Sequence, residues 1–182
     1  GADGKELWRT QVGGEMRSSP LVGRGLVVVR STDYRITALD ASNGRRRWVY
    51  QRANVPLTLR SLTEMVYAGD LVLAGFPSGR LVALTAVNGA VRWDVAVSEP
   101  RGATEVERLA DVVGAPLVIG NEVCAASYQG RVGCFEAASG SLRWSTEISA
   151  RAGPAADERR VYVIDAKSNV AAFNRAAGSN AW

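Results

Sequence analysis

Apolar and polar positions along the chain fall into short runs separated by tight turns, and the same order of runs recurs. In the first full copy, Ser18–Val22 is a short apolar run and Gly23-Arg24-Gly25 turns the chain. Leu26–Arg30 is β-branched, Ser31–Tyr34 is a polar turn, and Ile36–Asp40 alternates apolar with polar. Asn43-Gly44 supplies the next turn, because glycine accepts the positive φ that tight hairpins require. Arg45–Gln51 closes the copy, with Arg47 and Val49 facing away from Trp48 as strand alternation demands. The pattern predicts four short antiparallel strands in about forty residues. Glu105–Leu109 has room for one helical turn, and no longer helix is expected.

Aligning Gly44, Gly89, Gly140 and Gly178 brings Trp48, Trp93, Trp144 and Trp182 into register. Four blocks then match without a gap: Leu26–Trp48, Leu71–Trp93, Glu122–Trp144 and Arg160–Trp182. Gly4–Trp8 is the tail of a further copy, so the tryptophans recur at intervals of 40, 45, 51 and 38 residues. Length varies only between blocks, in Val49–Asp70, Asp94–Asn121 and Ser145–Arg159. Those stretches should hold the innermost strand of each repeat and the loop leading into it. Ser18-Ser19-Pro20, Gly114-Ala115-Pro116 and Ala152-Gly153-Pro154 align there, while the second repeat has Thr63-Glu64-Met65. Small residues suit strands that crowd at an axis, and a proline can open a strand where no ladder donor is needed.

The expected fold is all-β, a β-propeller of four-stranded antiparallel blades with about four blades present. The blades are 13–52, 53–97, 98–148 and 149–182, the last with a truncated outer strand, and 1–12 is the outer strand of a preceding blade. Trp8, Trp48, Trp93, Trp144 and Trp182 are read as docking residues, since a large ring can bury ~150–250 Å² against a neighbouring blade. Gly44, Gly89, Gly140 and Gly178 meet a turn requirement; no helix follows them to make a phosphate cradle.

Composition narrows the chemistry. Of 182 residues 47% are hydrophobic, enough for a core, and the net charge of +4 is carried almost wholly by arginine, with Lys5 and Lys167 the only lysines. Apart from Arg45-Arg46-Arg47 the basic residues are scattered, which argues against a nucleic-acid face. The chain has no histidine, the commonest general base and metal ligand. No Asp/Asn/Glu cluster has calcium-loop spacing. No catalytic residue, metal site or cofactor is expected.

Asp40-x-x-x-Gly44-x-x-x-Trp48, preceded by Ala38, resembles the tryptophan-docking motif of quinoprotein-type (PQQ-like repeat) propellers, which include both dehydrogenases and non-enzymatic scaffolds. Three further segments are more specific: Leu57-Thr58-Leu59-Arg60, Gly102-Ala103-Thr104-Glu105 running into Glu107–Val112, and Ala126-Ser127-Tyr128-Gln129-Gly130. They resemble, in order and over the whole chain, the BamB family of the Gram-negative β-barrel assembly machinery. The resemblance implies an eight-bladed ring of which this chain is about half. It implies a scaffold lipoprotein at the periplasmic face of the outer membrane, held there by a lipid anchor upstream of Gly1. Its implied partners are the POTRA domains of BamA and unfolded outer-membrane proteins. Leu57, Leu59, Arg60 and Asp111 match the family's BamA contacts; Val113 stands where a second aspartate is expected.

The repeat alignment points to the same residues. Arg60 lies ten residues before Asp70 and Asp111 ten before Asn121, which are equivalent positions, so both sit in loops entering innermost strands on one rim. Rigid scaffolds present binding residues on such loops. A surface Arg60–Asp111 ion pair would be worth only ~0–1 kcal/mol, whereas leucines exposed beside an arginine suit an interface anchor. A quinone-dependent dehydrogenase would need a carboxylate base, calcium ligands and usually vicinal cysteines, and Cys124 and Cys134 are not adjacent. A ligand-binding or sensor propeller would need a polar axial pocket, while Ser18, Ser19, Ala115 and Gly153 suggest a narrow channel.

Two expectations remain open at this level. A three-residue turn at Tyr128-Gln129-Gly130 would set Cys124 opposite Cys134, and a two-residue turn would offset them by one. An oxidising compartment permits a disulfide, but alignment with Leu73 and Val28 equally suits Cys124 as a small core hydrophobe. Half a ring also leaves open blade faces, which favours self-association of two copies, each lending Lys5–Val12 to the other's last blade.

Overall fold

The computed structural model describes residues 3–16, 18–53, 57, 58 and 63–182. It divides into two compact units, Gly1–Asn54 with Ala86–Ala90, and Val55–Thr85 with Val91–Trp182. The first unit contains one sheet in the order β1 (Leu21–Gly23), β2 (Leu26–Arg30), β3 (Ile36–Asp40), β4 (Arg46–Tyr50). The second contains three sheets. One is β5 (Met65–Ala68), β6 (Leu71–Phe76), β7 (Arg80–Thr85) and β8 (Val91–Ala96). The next is β9 (Val112–Ile119), β10 (Glu122–Ser127), β11 (Arg131–Glu136) and β12 (Leu142–Glu147). The last is β13 (Ala155–Ala156), β14 (Arg160–Ile164) and β15 (Val170–Asn174). All pair as antiparallel meanders. The first strand starts later than its apolar run suggests, because Ser18-Ser19-Pro20 precede the ladder.

Strands β6 and β10 are buried at every position. In β10 strict alternation fails because both faces of its sheet meet apolar neighbours within the second unit. Leu73, Leu81, Ala83 and Trp93 pack with Val112, Val123, Ala125 and Phe135. The other face of the β9–β12 sheet, with Cys124, Ala126, Val132, Cys134 and Trp144, packs with Val161, Val163 and Phe173.

Small residues mark close approach, as their alignment implies. A Cβ on Gly114 would fall 2.2 Å from the Gly153 nitrogen, and one on Gly153 2.5 Å from the Ala115 carbonyl. Gly114-Ala115-Pro116 lie inside β9, opposite an irregularity between Cys124 and Ala126, so Pro116 sits in a bulge instead of opening the strand.

Candidate functional site

Four tryptophans seat on the turn of the following repeat. The indole nitrogens of Trp8, Trp48, Trp93 and Trp144 donate to the carbonyls of Ala41, Ala86, Ala137 and Arg175 at 2.9, 2.7, 2.9 and 2.7 Å. Under each ring lies a glycine, Gly44, Gly89, Gly140 or Gly178, with φ between +69° and +74°. A bulge next to Trp48, Trp93 and Trp144 aims each ring: the register shifts after Ala38, Ala83 and Cys134, the partners of those tryptophans. Thr10 and Thr146, each two residues past a tryptophan, donate to the carbonyls of Gly44 and Gly178 at 2.7 Å.

Trp182 departs from this scheme. Its ring is 59% exposed and tilts against Tyr162, with centroids 6.2 Å apart. Residues 3–12 likewise form no strand; Trp8 and Thr10 tie that segment to the 41–44 turn.

Cys124 and Cys134 stand directly opposite in the β10–β11 ladder, across the three-residue turn 128–130. They form a disulfide with Cα atoms 4.1 Å apart. Both are fully buried, so the core position and the bridge coexist.

Among the candidate contacts, Leu57 and Asp111 both belong to the second unit. Leu57 is 42% exposed; Leu59 and Arg60 lie outside the described residues. Asp111 is only 4% exposed, and its carboxylate accepts the Ser78 amide at 3.1 Å while its carbonyl accepts the Tyr128 amide at 2.9 Å. It thus ties the β6–β7 and β10–β11 turns to the start of β9. Val113, where a second aspartate was expected, is buried against Trp144, Cys124 and Val161.

Next to Asp111 in sequence, residues 101–108 are all exposed. This segment braces itself. The Glu107 carboxylate accepts the amides of Ala103 and Thr104 at 2.8 and 3.1 Å, and the Thr104 hydroxyl accepts the Glu107 amide at 3.2 Å. That reciprocal pair is a capping box. The Thr104 and Ala103 amides hold the Glu107 carboxyl below its usual range. The Arg108 guanidinium donates to the Gly102 carbonyl at 3.0 Å. The expected single turn is present: the Arg108 and Leu109 amides donate to Thr104 and Val106. Val106, at 60% exposure, is the apolar side chain this segment displays. Sequence reasoning passed over Val106, although Thr104-x-x-Glu107 is a readable capping signature. Beside the segment, a cleft of about 350 Å³ is lined by Val97, Ser98, Arg101, Arg131, Leu142 and Glu147 among others. Glu147 bonds Arg131 at 2.9 Å and pairs with Arg101 at 3.6 Å; the Arg131 bond and both positive charges lower its pKa.

Among the described residues no three His, Cys, Asp or Glu side chains group as metal ligands. Three comparisons with known proteins bear on what such a face serves. The profile of a family described as outer membrane protein assembly factor BamB matches residues 1–182. The protein of that name from Burkholderia pseudomallei (strain K96243) is 48% identical over 183 residues, which cover 100% of this chain and 48% of the relative. Its namesake from Bordetella pertussis is 44% identical over 98% of this chain and 47% of its own. The chain spans about half the length of the curated relatives it matches. The crystal structure of BamB from Moraxella catarrhalis is similar with a TM-score of 0.91 at 26% identity, over 98% of this chain and 54% of that one. The quinohemoprotein alcohol dehydrogenase from Comamonas testosteroni matches at TM-score 0.70 and 17% identity, over 93% of this chain and 34% of that one, a likeness of fold alone. The four sheets are blades of a partial β-propeller.

Proposed function

This chain belongs to the outer membrane protein assembly factor BamB family, and on that footing we propose that it acts as a non-enzymatic scaffold of the β-barrel assembly machinery. Its partner is BamA, met through the POTRA domains, and its place is the periplasmic face of the outer membrane, with a lipid anchor upstream of Gly1. Unfolded outer-membrane proteins are its further partners. The contact face comprises Leu57, Leu59, Arg60 and the 101–108 segment. Asp111 serves this face from below, since a carboxylate that holds the Ser78 amide acts on a partner through the turns it fixes.

The observation that carries this reading is the self-braced, fully exposed 101–108 segment with Val106 on display. A segment ordered before binding loses less conformational freedom on docking, which favours affinity. Retention of the full-length protein on immobilised POTRA domains tests the proposal. Co-retention at physiological salt is expected, and a folded full-length protein that passes straight through overturns it.

A further inference from the structure

We infer that Gln129 is the latch that fixes the exposed 102–109 segment to the body of its blade, and so is a positioning residue for the partner contact; the second half of this inference rests on the function proposed above. The 128–130 turn is pinned through its own backbone groups. The Tyr128 amide donates to the Asp111 carbonyl at 2.9 Å, the Gln129 amide to the Ser149 hydroxyl at 2.9 Å, and the Ile148 amide to the Gly130 carbonyl at 3.1 Å. Gly130 is enclosed, since a Cβ there would fall 2.4 Å from the Ser98 hydroxyl. None of these bonds needs the Gln129 side chain.

Yet Gln129 has φ +48°, a region that glycine occupies more readily than any residue with a side chain. What the side chain does there is specific. With its nitrogen toward the segment, the carboxamide reaches the carbonyls of Val106, Leu109 and Glu107 at 3.1, 3.2 and 3.3 Å. These belong to the end of the single turn 104–109, where no further helix follows and only the Val106 carbonyl has a donor from within the turn, the Leu109 amide. The segment is therefore clasped at both ends. Glu107 collects the amides at its start, and Gln129, from a turn of the β9–β12 sheet, supplies donors at its end. The first clasp is internal to the segment; the second ties it to the sheet.

Two variants of the full chain separate this latch from a general structural role. Gln129→Gly keeps the Gln129 amide and relieves the left-handed φ, so its melting temperature should stay level or rise. Gln129→Glu keeps the size of the side chain but can only accept. In both, amide hydrogen exchange across 102–109 should accelerate about tenfold, the scale of one or two lost hydrogen bonds, while exchange in β10 and β11 is unchanged. Affinity for purified POTRA domains should weaken by a similar factor. Unaltered exchange in 102–109 overturns the latch. Faster exchange with unaltered affinity overturns its role in binding. A wild-type protein that fails to bind POTRA domains overturns the proposed partner, a result the exchange measurement keeps separate from the latch itself.

Discussion

The ring of Trp93 fills the space that a side chain at Gly140 would need. Trp93 donates to the Ala137 carbonyl at 2.9 Å, and a Cβ on Gly140 would fall 2.9 Å from two of its ring atoms. Gly140 also has φ +74°, so one residue answers a steric and a backbone demand together. Trp8 with Gly44, Trp48 with Gly89, and Trp144 with Gly178 repeat the relation.

Gly140→Ala should therefore be far more damaging than an ordinary turn substitution. The left-handed backbone costs roughly 1–2 kcal/mol and overpacking a further 1–3 kcal/mol. Gly120→Ala is the control: φ is +60° but nothing lies within 4 Å of the new carbon, so only the backbone cost applies. Urea denaturation of the two variants should place Gly140→Ala clearly below Gly120→Ala. Equal midpoints would mean that the ring yields without cost.

The Cys124–Cys134 bridge closes a short loop inside the core of the second unit. Its removal by Cys124→Ala with Cys134→Ala should lower stability by about 2–4 kcal/mol. Mass measurement after alkylation of the denatured, unreduced protein should find neither thiol labelled. Two labelled thiols would exclude the bridge.

Much of this was legible in the chain, and the failures have physical causes. The recurring spacing of tryptophan after glycine marked the residues that meet in four described pairs, though not that each ring seats on the glycine of the following repeat. The crowding of Gly114 against Gly153 followed from aligned small residues. Trp182 shares the sequence context of the other tryptophans, yet its ring is exposed and rests on Tyr162. Asp111 was read as a partner contact from the resemblance and its place in the repeat; its burial was not legible, because the Ser78 amide that its carboxylate accepts lies 33 residues away in sequence. The bulges beside Trp48, Trp93 and Trp144 leave no mark in an alternating pattern, because one extra residue shifts the count only locally.

The 102–109 segment should respond to acid. The amides of Thr104 and Ala103 lower the Glu107 pKa. Its stabilising effect is therefore complete above the unfolded value of about 4.3 and is lost as pH falls through the lowered folded value. Carboxyl-carbon NMR should find Glu107 titrating below 4.3, with the Ala103 and Thr104 amide resonances moving at the same midpoint. A midpoint at or above 4.3 would show that the capping bonds do not persist in solution.

A calorimetric titration of the full-length protein with POTRA domains tests most directly the proposed binding of this face to BamA. Wild type should bind, and Leu57→Asp and Arg60→Glu should each weaken binding by ~2 kcal/mol or more, as expected of interface anchors. Both variants should keep the circular dichroism of the parent. Unchanged affinity in folded variants would contradict the account.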